Sequence, residues 1–80
     1  MNLNRIKKNI TNRDWSSKSK ETNIKYIKQK LNQFNLSVPK YLNNGKLTST
    51  QIKSNTNKLL KAIEKLLLWY YLLNDILIWV

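Results

Sequence analysis

The chain has 80 residues, with 15 Lys and Arg against four Asp and Glu, and its formal net charge is +11. It contains no Cys and no His, which excludes a disulfide framework, a zinc finger and any active site that depends on a Cys or His side chain. A chain this short buries a small core, and small domains without disulfides or metal commonly gain stability from a partner.

The positive charge is confined to the first four fifths of the chain. Residues 1–65 contain all fifteen basic residues and three of the four acids, a net charge of +12, whereas residues 66–80 contain only Asp75. Such a charge density indicates a polyanionic partner, either nucleic acid or anionic lipid. An A+T-rich genome favours Lys over Arg, but it does not explain the scarcity of acids. The polar and basic residues after Met1 are unlike the apolar core of a signal peptide.

Helical periodicity begins close to the N-terminus, and no alternating β pattern is present. Leu3, Ile6 and Ile10 recur at spacings of three and four, which predicts a short first helix inside a basic N-terminal segment of residues 1–19. A Ser-rich linker follows. Its Ser residues suit the start of the next helix, and Glu21 suits the first turn of that helix.

A second helix is predicted over residues 20–35, followed by a loop over residues 36–47. The helix has one apolar stripe, formed by Ile24, Ile27, Leu31 and Phe34. Pro39 cannot continue a helix, and Asn44-Gly45 is a turn signal. Four apolar residues are predicted to hold the loop against the core: Val38, Tyr41, Leu42 and Leu47.

A long final helix is predicted over residues 48–80. Thr48 and Gln51 have the spacing of a capping box. Apolar residues then alternate spacings of four and three in one heptad-like seam, which we expect to cover the stripes of the first two helices. The seam consists of Ile52, Thr56, Leu59, Ile63, Leu66, Tyr70, Leu73, Leu77 and Val80. A second apolar strip begins in the last third of the helix, at Leu68, Leu72, Ile76 and Trp79.

These elements predict an all-α single domain over residues 1–80, a small three-helix arrangement with a long, C-terminally apolar final helix. The apolar end of that helix, residues 66–80, allows three interpretations. A spanning helix is disfavoured, because fifteen residues rise about 22 Å and a span requires roughly 20 apolar residues. Asn74-Asp75 also lies in the middle of the run, where a carboxylate is costly in a bilayer.

A membrane-surface helix would carry its basic residues opposite the apolar face, whereas here they lie upstream. Burial in the core accounts for the seam but not for the second strip, because two short helices lack the apolar surface to cover both. We therefore expect the end of the helix to dock on a protein partner or on a second copy of the chain. The predicted docking residues are Trp69, Leu72, Ile76 and Trp79.

The sequence gives little support for catalysis. The acids are Asp14, Glu21, Glu64 and Asp75, and no two of them have a spacing that places both carboxylates on one helix face. There is no glycine-rich phosphate loop and no nucleophile motif. The protein is predicted not to be an enzyme and to hold no metal or cofactor.

The basic residues are predicted to neutralise the phosphates of a nucleic acid without reading its sequence. Taken one at a time, such lysines are more often solvated surface residues; the number of them is the signal. The predicted binding set is Arg5, Lys7, Lys8, Arg13, Lys25, Lys28, Lys40, Lys46, Lys58, Lys61 and Lys65. Trp15, Tyr26 and Tyr41 lie among them, where they would stack on unpaired bases or pack against lysine stems.

Part of the chain resembles a known family. The segment NIKYIKQKLNQFNLSVPKYL, Asn23 to Leu42, is similar to the middle of the family of the eighteenth protein of the small ribosomal subunit. KLTS, Lys46 to Ser49, resembles the basic-Leu-Thr-Gly turn of that family. LLKAIEKLL at residues 59–67 resembles its Leu-x-x-Ala-Ile-basic-basic helix. The resemblance covers roughly residues 23–67.

The resemblance implies a structural ribosomal protein of the cytoplasm or an organellar matrix, whose apolar face meets a neighbouring ribosomal protein. The residues that would contact ribosomal RNA are Lys40, Lys46, Lys58, Lys61 and Lys65. RNA is therefore favoured over DNA. Two alternatives stay open: a viral or plasmid DNA-binding or packaging protein, and a small membrane-associated protein with a basic head. Raised salt weakens phosphate contacts but not insertion of apolar side chains into lipid.

Overall fold

A computed structural model of the chain describes the backbone of residues 2–79 and the side chains of residues 2–74. All regular elements in this range are α-helices, so the prediction of an all-α fold is confirmed. The elements are α1 (Leu3–Thr11), α2 (Lys20–Gln33), α3 (Lys40–Asn43) and α4 (Ser49–Trp79). Both α1 and α2 pack against α4. The molecule measures 50 × 24 × 19 Å, because the 31 residues of α4 set its long axis.

Side-chain N-caps fix the residues at which α1 and α2 begin. The Asn2 side chain accepts a hydrogen bond from the Arg5 N–H at 3.1 Å, and the Ser19 hydroxyl accepts one from the Thr22 N–H at 3.2 Å. Each bond satisfies an N–H that the helix cannot pair internally. The predicted stripes of both helices are confirmed. Ile10, Ile24, Ile27 and Leu31 are buried, and Leu3, Ile6 and Phe34 pack partly buried against them.

The end of α2 is fixed by a Schellman motif. Asn35 takes a left-handed conformation with φ of 57°, and the Leu36 N–H donates to the Leu31 carbonyl at 2.8 Å. This geometry satisfies carbonyls that the last turn leaves unpaired, and Asn is one of the few residues other than Gly that tolerates it. Leu36 then packs against the core. The chain therefore reverses direction immediately after α2.

The segment predicted as a continuous loop, residues 36–47, contains the single turn of α3, which the prediction missed. Pro39 precedes α3 as its N-cap residue rather than preventing a helix. A second Schellman motif ends α3, with Gly45 at φ of 73° and the Lys46 N–H donating to the Tyr41 carbonyl at 2.9 Å. The predicted packing of the segment is confirmed: Leu42 is buried, and Val38, Tyr41 and Leu47 are partly buried against the core.

The capping box at the start of α4 is confirmed. The Thr48 N–H donates to Gln51 Oε1 at 2.8 Å, and the Gln51 N–H donates to Thr48 Oγ1 at 3.2 Å. One turn further on, buried Asn55 donates from Nδ2 to the Tyr41 hydroxyl at 2.8 Å. The same nitrogen also donates to the Gln51 carbonyl at 2.7 Å. The first of these bonds joins α3 to the beginning of α4.

The seam of α4 is covered along only part of its length. Leu59 and Ile63 are fully buried, whereas Leu66, Tyr70 and Leu73 are 44%, 59% and 53% exposed. The prediction that the whole seam covers the first two helices is therefore wrong, because α1 and α2 have only nine and fourteen residues. Leu77 and Val80 lie outside the described side chains. Within the described range, no helix is both long and apolar enough to cross a bilayer.

We expect Leu59→Ala to lower the free energy of unfolding by about 2–5 kcal/mol, because the removed atoms are fully buried and leave a cavity. Urea denaturation followed by circular dichroism measures this change. The control is Leu68→Ala, whose side chain is 61% exposed and for which a change within about 0.5 kcal/mol is expected. Equal losses in the two variants would contradict this division of α4.

Candidate nucleic-acid interface

The predicted binding residues lie on several faces of the molecule. Lys7, Arg13 and Lys28 are half-buried, and the other eight members of the set are exposed. Arg5 and Lys8 line a shallow depression on α1 with Asn2, Asn4 and Asn9. Lys40 is exposed at the first position of α3, and Lys46 is exposed just after the turn that ends this helix. No single groove brings the whole set together, so each face must be considered separately.

One cleft gathers several cations and hydrogen-bonding groups. It lies between the linker and the outward face of α2, has a volume of about 320 Å³, and is called the α2 cleft below. Its lining residues are Arg13, Lys18, Thr22, Lys25, Tyr26 and Gln29. Thr22, Lys25 and Gln29 recur at spacings of three and four, on the opposite side of the helix from buried Ile27 and Leu31. The amphipathic pattern of α2 therefore buries one face of the helix and directs the residues of this cleft outward from the other face.

Arg13 is held in the α2 cleft by aromatic rings. Its Cζ atom lies 3.9 Å from the centroid of the Tyr26 ring and 5.0 Å from that of Trp15. The two rings meet edge to face, with centroids 5.7 Å apart and an interplanar angle of 78°. Both contacts are favourable, because a ring face attracts a cation and a ring edge attracts a ring face. The guanidinium is thus fixed before any ligand arrives.

Asn23 of α2 holds Arg13 and Trp15, two residues of the linker between α1 and α2 (residues 12–19), in place. Its side chain is 5% exposed; Oδ1 accepts from Arg13 Nη2 at 3.3 Å, and Nδ2 donates to the Trp15 carbonyl at 3.0 Å. A buried amide without such partners would be costly. Arg13 Nε is buried and has no hydrogen-bond partner among the described groups. Sequence reasoning missed Asn23, although its position one turn before Ile27 on the apolar stripe was a usable signal.

The aromatic residues of the basic region are engaged within the protein. Burial raises the pKa of Tyr26 above its ordinary value of 10.0, and the nearby charge of Arg13 acts in the opposite direction. Tyr26 therefore keeps its hydroxyl proton at neutral pH. The Trp15 and Tyr26 rings contact Arg13, and the Tyr41 hydroxyl accepts from Asn55. These contacts give the three rings packing roles within the protein, and their stacking on unpaired bases stays a prediction.

A second group of predicted residues lies on α4. Lys58, Lys61 and Lys65 are exposed at spacings of three and four, on the side facing away from buried Leu59 and Ile63. They form a lysine stripe with no ring or fixed guanidinium among them.

On α1, Lys7 Nζ lies 3.3 Å from Glu64 Oε1 in an ion pair whose side chains are 38% and 58% exposed. Such pairs stabilise weakly, but this one partly neutralises Lys7.

Two of the predicted docking residues are described. Trp69 is 64% exposed and Leu72 is 48% exposed, as a docking surface requires. Ile76 and Trp79 lie outside the described side chains. The exposed surface is wider than predicted, because it surrounds the helix and also includes Leu66, Tyr70 and Leu73 of the seam.

The described residues contain no cluster of three or more acidic, His or Cys side chains that could hold a metal ion. No family model matches the chain, and no curated protein or solved structure matches it either. The resemblance to the ribosomal family therefore stays a prediction.

We expect Arg13→Met to lower the free energy of unfolding by about 1–2 kcal/mol, because the ring contacts and the bond to Asn23 are lost. It should also raise the pKa of Tyr26 further, since the neighbouring positive charge disappears. Urea denaturation and ultraviolet titration of tyrosine measure the two effects. Lys61→Met, at an exposed position on α4, removes the same charge and should change neither quantity. Similar results for both variants would mean that only net charge matters.

Proposed function

We propose that this protein is a non-catalytic nucleic-acid-binding protein that contacts the phosphate backbone through the α2 cleft. One observation carries the proposal: Arg13, Lys18 and Lys25 line a single open cleft whose lining includes none of the acids that the structure describes, Asp14, Glu21 and Glu64. Thr22 and Gln29 add a hydroxyl and an amide at the same place. Cations with neutral donors between them match the needs of adjacent phosphate oxygens.

The cleft combines a fixed cation with mobile ones. Arg13 is oriented by Tyr26 and Asn23, so little conformational entropy is lost when it meets a phosphate. Lys18 and Lys25 are exposed and can adjust to the spacing of a flexible backbone. The lysine stripe of α4 and the basic residues of α1 add long-range attraction. They raise the rate of encounter more than they fix a binding geometry.

RNA is proposed over DNA, and a small-subunit ribosomal protein is the proposed particular role. Both proposals rest on the resemblance over residues 23–67 rather than on the cleft. The exposed apolar end of α4 supports the second half of this role, docking on a protein neighbour, because large exposed apolar patches mark interaction surfaces.

The test measures binding of single-stranded RNA, double-stranded RNA and double-stranded DNA over a range of salt concentrations. The cleft variant is Lys18→Gln/Lys25→Gln, and the matched comparison is Lys61→Gln/Lys65→Gln in the lysine stripe. Loss of two phosphate contacts should reduce the slope of log affinity against log salt by about 1.4 on single strands and about 1.8 on a duplex. We expect this reduction in the cleft variant and a smaller one in the stripe variant. A larger reduction in the stripe variant would instead place the contact at Lys61 and Lys65, as the resemblance implies, and would refute the α2 cleft as the site.

Equal reductions would show that binding is spread over the whole basic surface, and no reduction in either variant would refute the proposed site. The ribosomal role is tested by sedimentation of the tagged protein in host lysate. It predicts migration with the small subunit that disappears after RNase treatment. Sedimentation with membranes that survives both RNase and high salt would favour the membrane-associated alternative instead.

A further inference from the structure

Among the described residues, the large apolar side chains that are exposed all lie near the end of α4. We define the projecting segment as residues 66–79 of α4 and the body as residues 2–65. Seven consecutive or near-consecutive side chains of the segment are 44–64% exposed: Leu66, Leu68, Trp69, Tyr70, Tyr71, Leu72 and Leu73. Taking roughly 200 Å² as the full area of a large apolar side chain, they present roughly 750 Å². This exceeds the largest patch on most monomers.

We propose that the projecting segment pairs antiparallel with the same segment of a second copy of the chain, through the face that carries Leu66, Tyr70 and Leu73. The inference rests on the docking role proposed above for α4, but not on nucleic-acid binding. It assigns the pairing to the seam and not to the second strip, which contains the docking residue Leu72 predicted from the sequence. The exposed area is close to the roughly 800 Å² that each partner contributes to a standard interface. A pair that buries one face of the segment uses part of this area, so we expect a weak, reversible dimer.

The pairing face follows from the continuity of the seam. Leu66, Tyr70 and Leu73 continue the four-and-three spacing of Leu59 and Ile63, which α1 and α2 cover within the body. A helix of a second copy would cover the same stripe where α1 and α2 end. The repeat suits helix pairing, because knobs at these positions enter holes on the facing helix.

Charge selects the antiparallel orientation. The body carries all fifteen basic residues, and residues 66–74 carry no charged side chain. A parallel pair would bring two strongly positive bodies side by side. In an antiparallel pair the bodies lie at opposite ends of a segment about 21 Å long, beyond the screening length of about 8 Å at physiological salt. The resulting interface is isologous, as in most dimers.

A notch at the base of the segment fits this arrangement. It has a volume of about 480 Å³ and is lined by Asn2, Leu3, Asn4, Leu67, Tyr70 and Tyr71. It lies where α4 leaves the body. The C-terminal end of the second copy's α4 would reach this notch in an antiparallel pair but not in a parallel one.

The test is sedimentation equilibrium of the purified full chain, without nucleic acid, over a range of protein and salt concentrations. We expect reversible dimerisation of the 9.6 kDa chain, strengthened by salt because screening reduces repulsion between the bodies. Binding to nucleic acid should weaken under the same change. Leu66→Gln/Leu73→Gln should raise the dimer dissociation constant roughly 30-fold or more. The matched variant Leu68→Gln/Leu72→Gln, on the other side of the helix, should leave it nearly unchanged.

A protein that stays monomeric at all concentrations would overturn the proposal. So would dissociation by the Leu68/Leu72 variant alone, since the pairing face would then be wrong. A monomer that partitions into phosphatidylcholine vesicles would assign the segment to lipid instead. An unsubstituted chain that stays monomeric but binds RNA in a salt-dependent way would refute this inference alone. If the chain dimerises but Lys18→Gln/Lys25→Gln does not change its RNA binding, only the proposed nucleic-acid site is refuted.

Discussion

The structure depends on a mismatch of length between its helices. α4 has 31 residues, whereas α1 and α2 have nine and fourteen, so the two short helices can cover only the first part of it. The hydrophobic effect that packs Leu59 and Ile63 therefore buries little of the described apolar surface beyond Leu67, and Leu68 to Leu73 are 48–64% exposed. α4 consequently contributes Leu59 and Ile63 to the core and then presents exposed apolar side chains from Leu66 to Leu73.

The local elements were largely predictable, because their signals lie within a few residues of one another. The stripes of α1 and α2 and the Thr48–Gln51 capping box are such signals. The single turn of α3 was missed, because four residues are too few to show a helical period. The extent of seam coverage was also missed, since it depends on how far α1 and α2 reach along α4 and not on the seam itself.

The candidate site was less predictable than the fold. Composition showed that the chain is basic, and it correctly singled out residues that turn out to be exposed, such as Lys25. It did not show that Arg13 and Lys25 share a cleft, because their proximity depends on the path of the linker. The Asn23 bond to the Trp15 carbonyl fixes that path. Arg13 itself is one of only two arginines in the chain. A guanidinium suits this position because it is planar and weakly hydrated, and therefore stacks on rings at lower cost than an ammonium group.

In the projecting segment of α4, the backbone is ordered as a helix although most of the described side chains are not packed. Backbone order and side-chain order usually occur together. Forming the first turn of a helix is unfavourable, but each added residue then contributes one further hydrogen bond. The packed turns of α4 supply that nucleus, so the helical backbone extends through the projecting segment, where most of the described side chains are exposed. The backbone of residues 66–74 is thus preorganised, whereas most of the side chains in this range are exposed. A binding partner would have to order side chains, but it would not have to fold a chain.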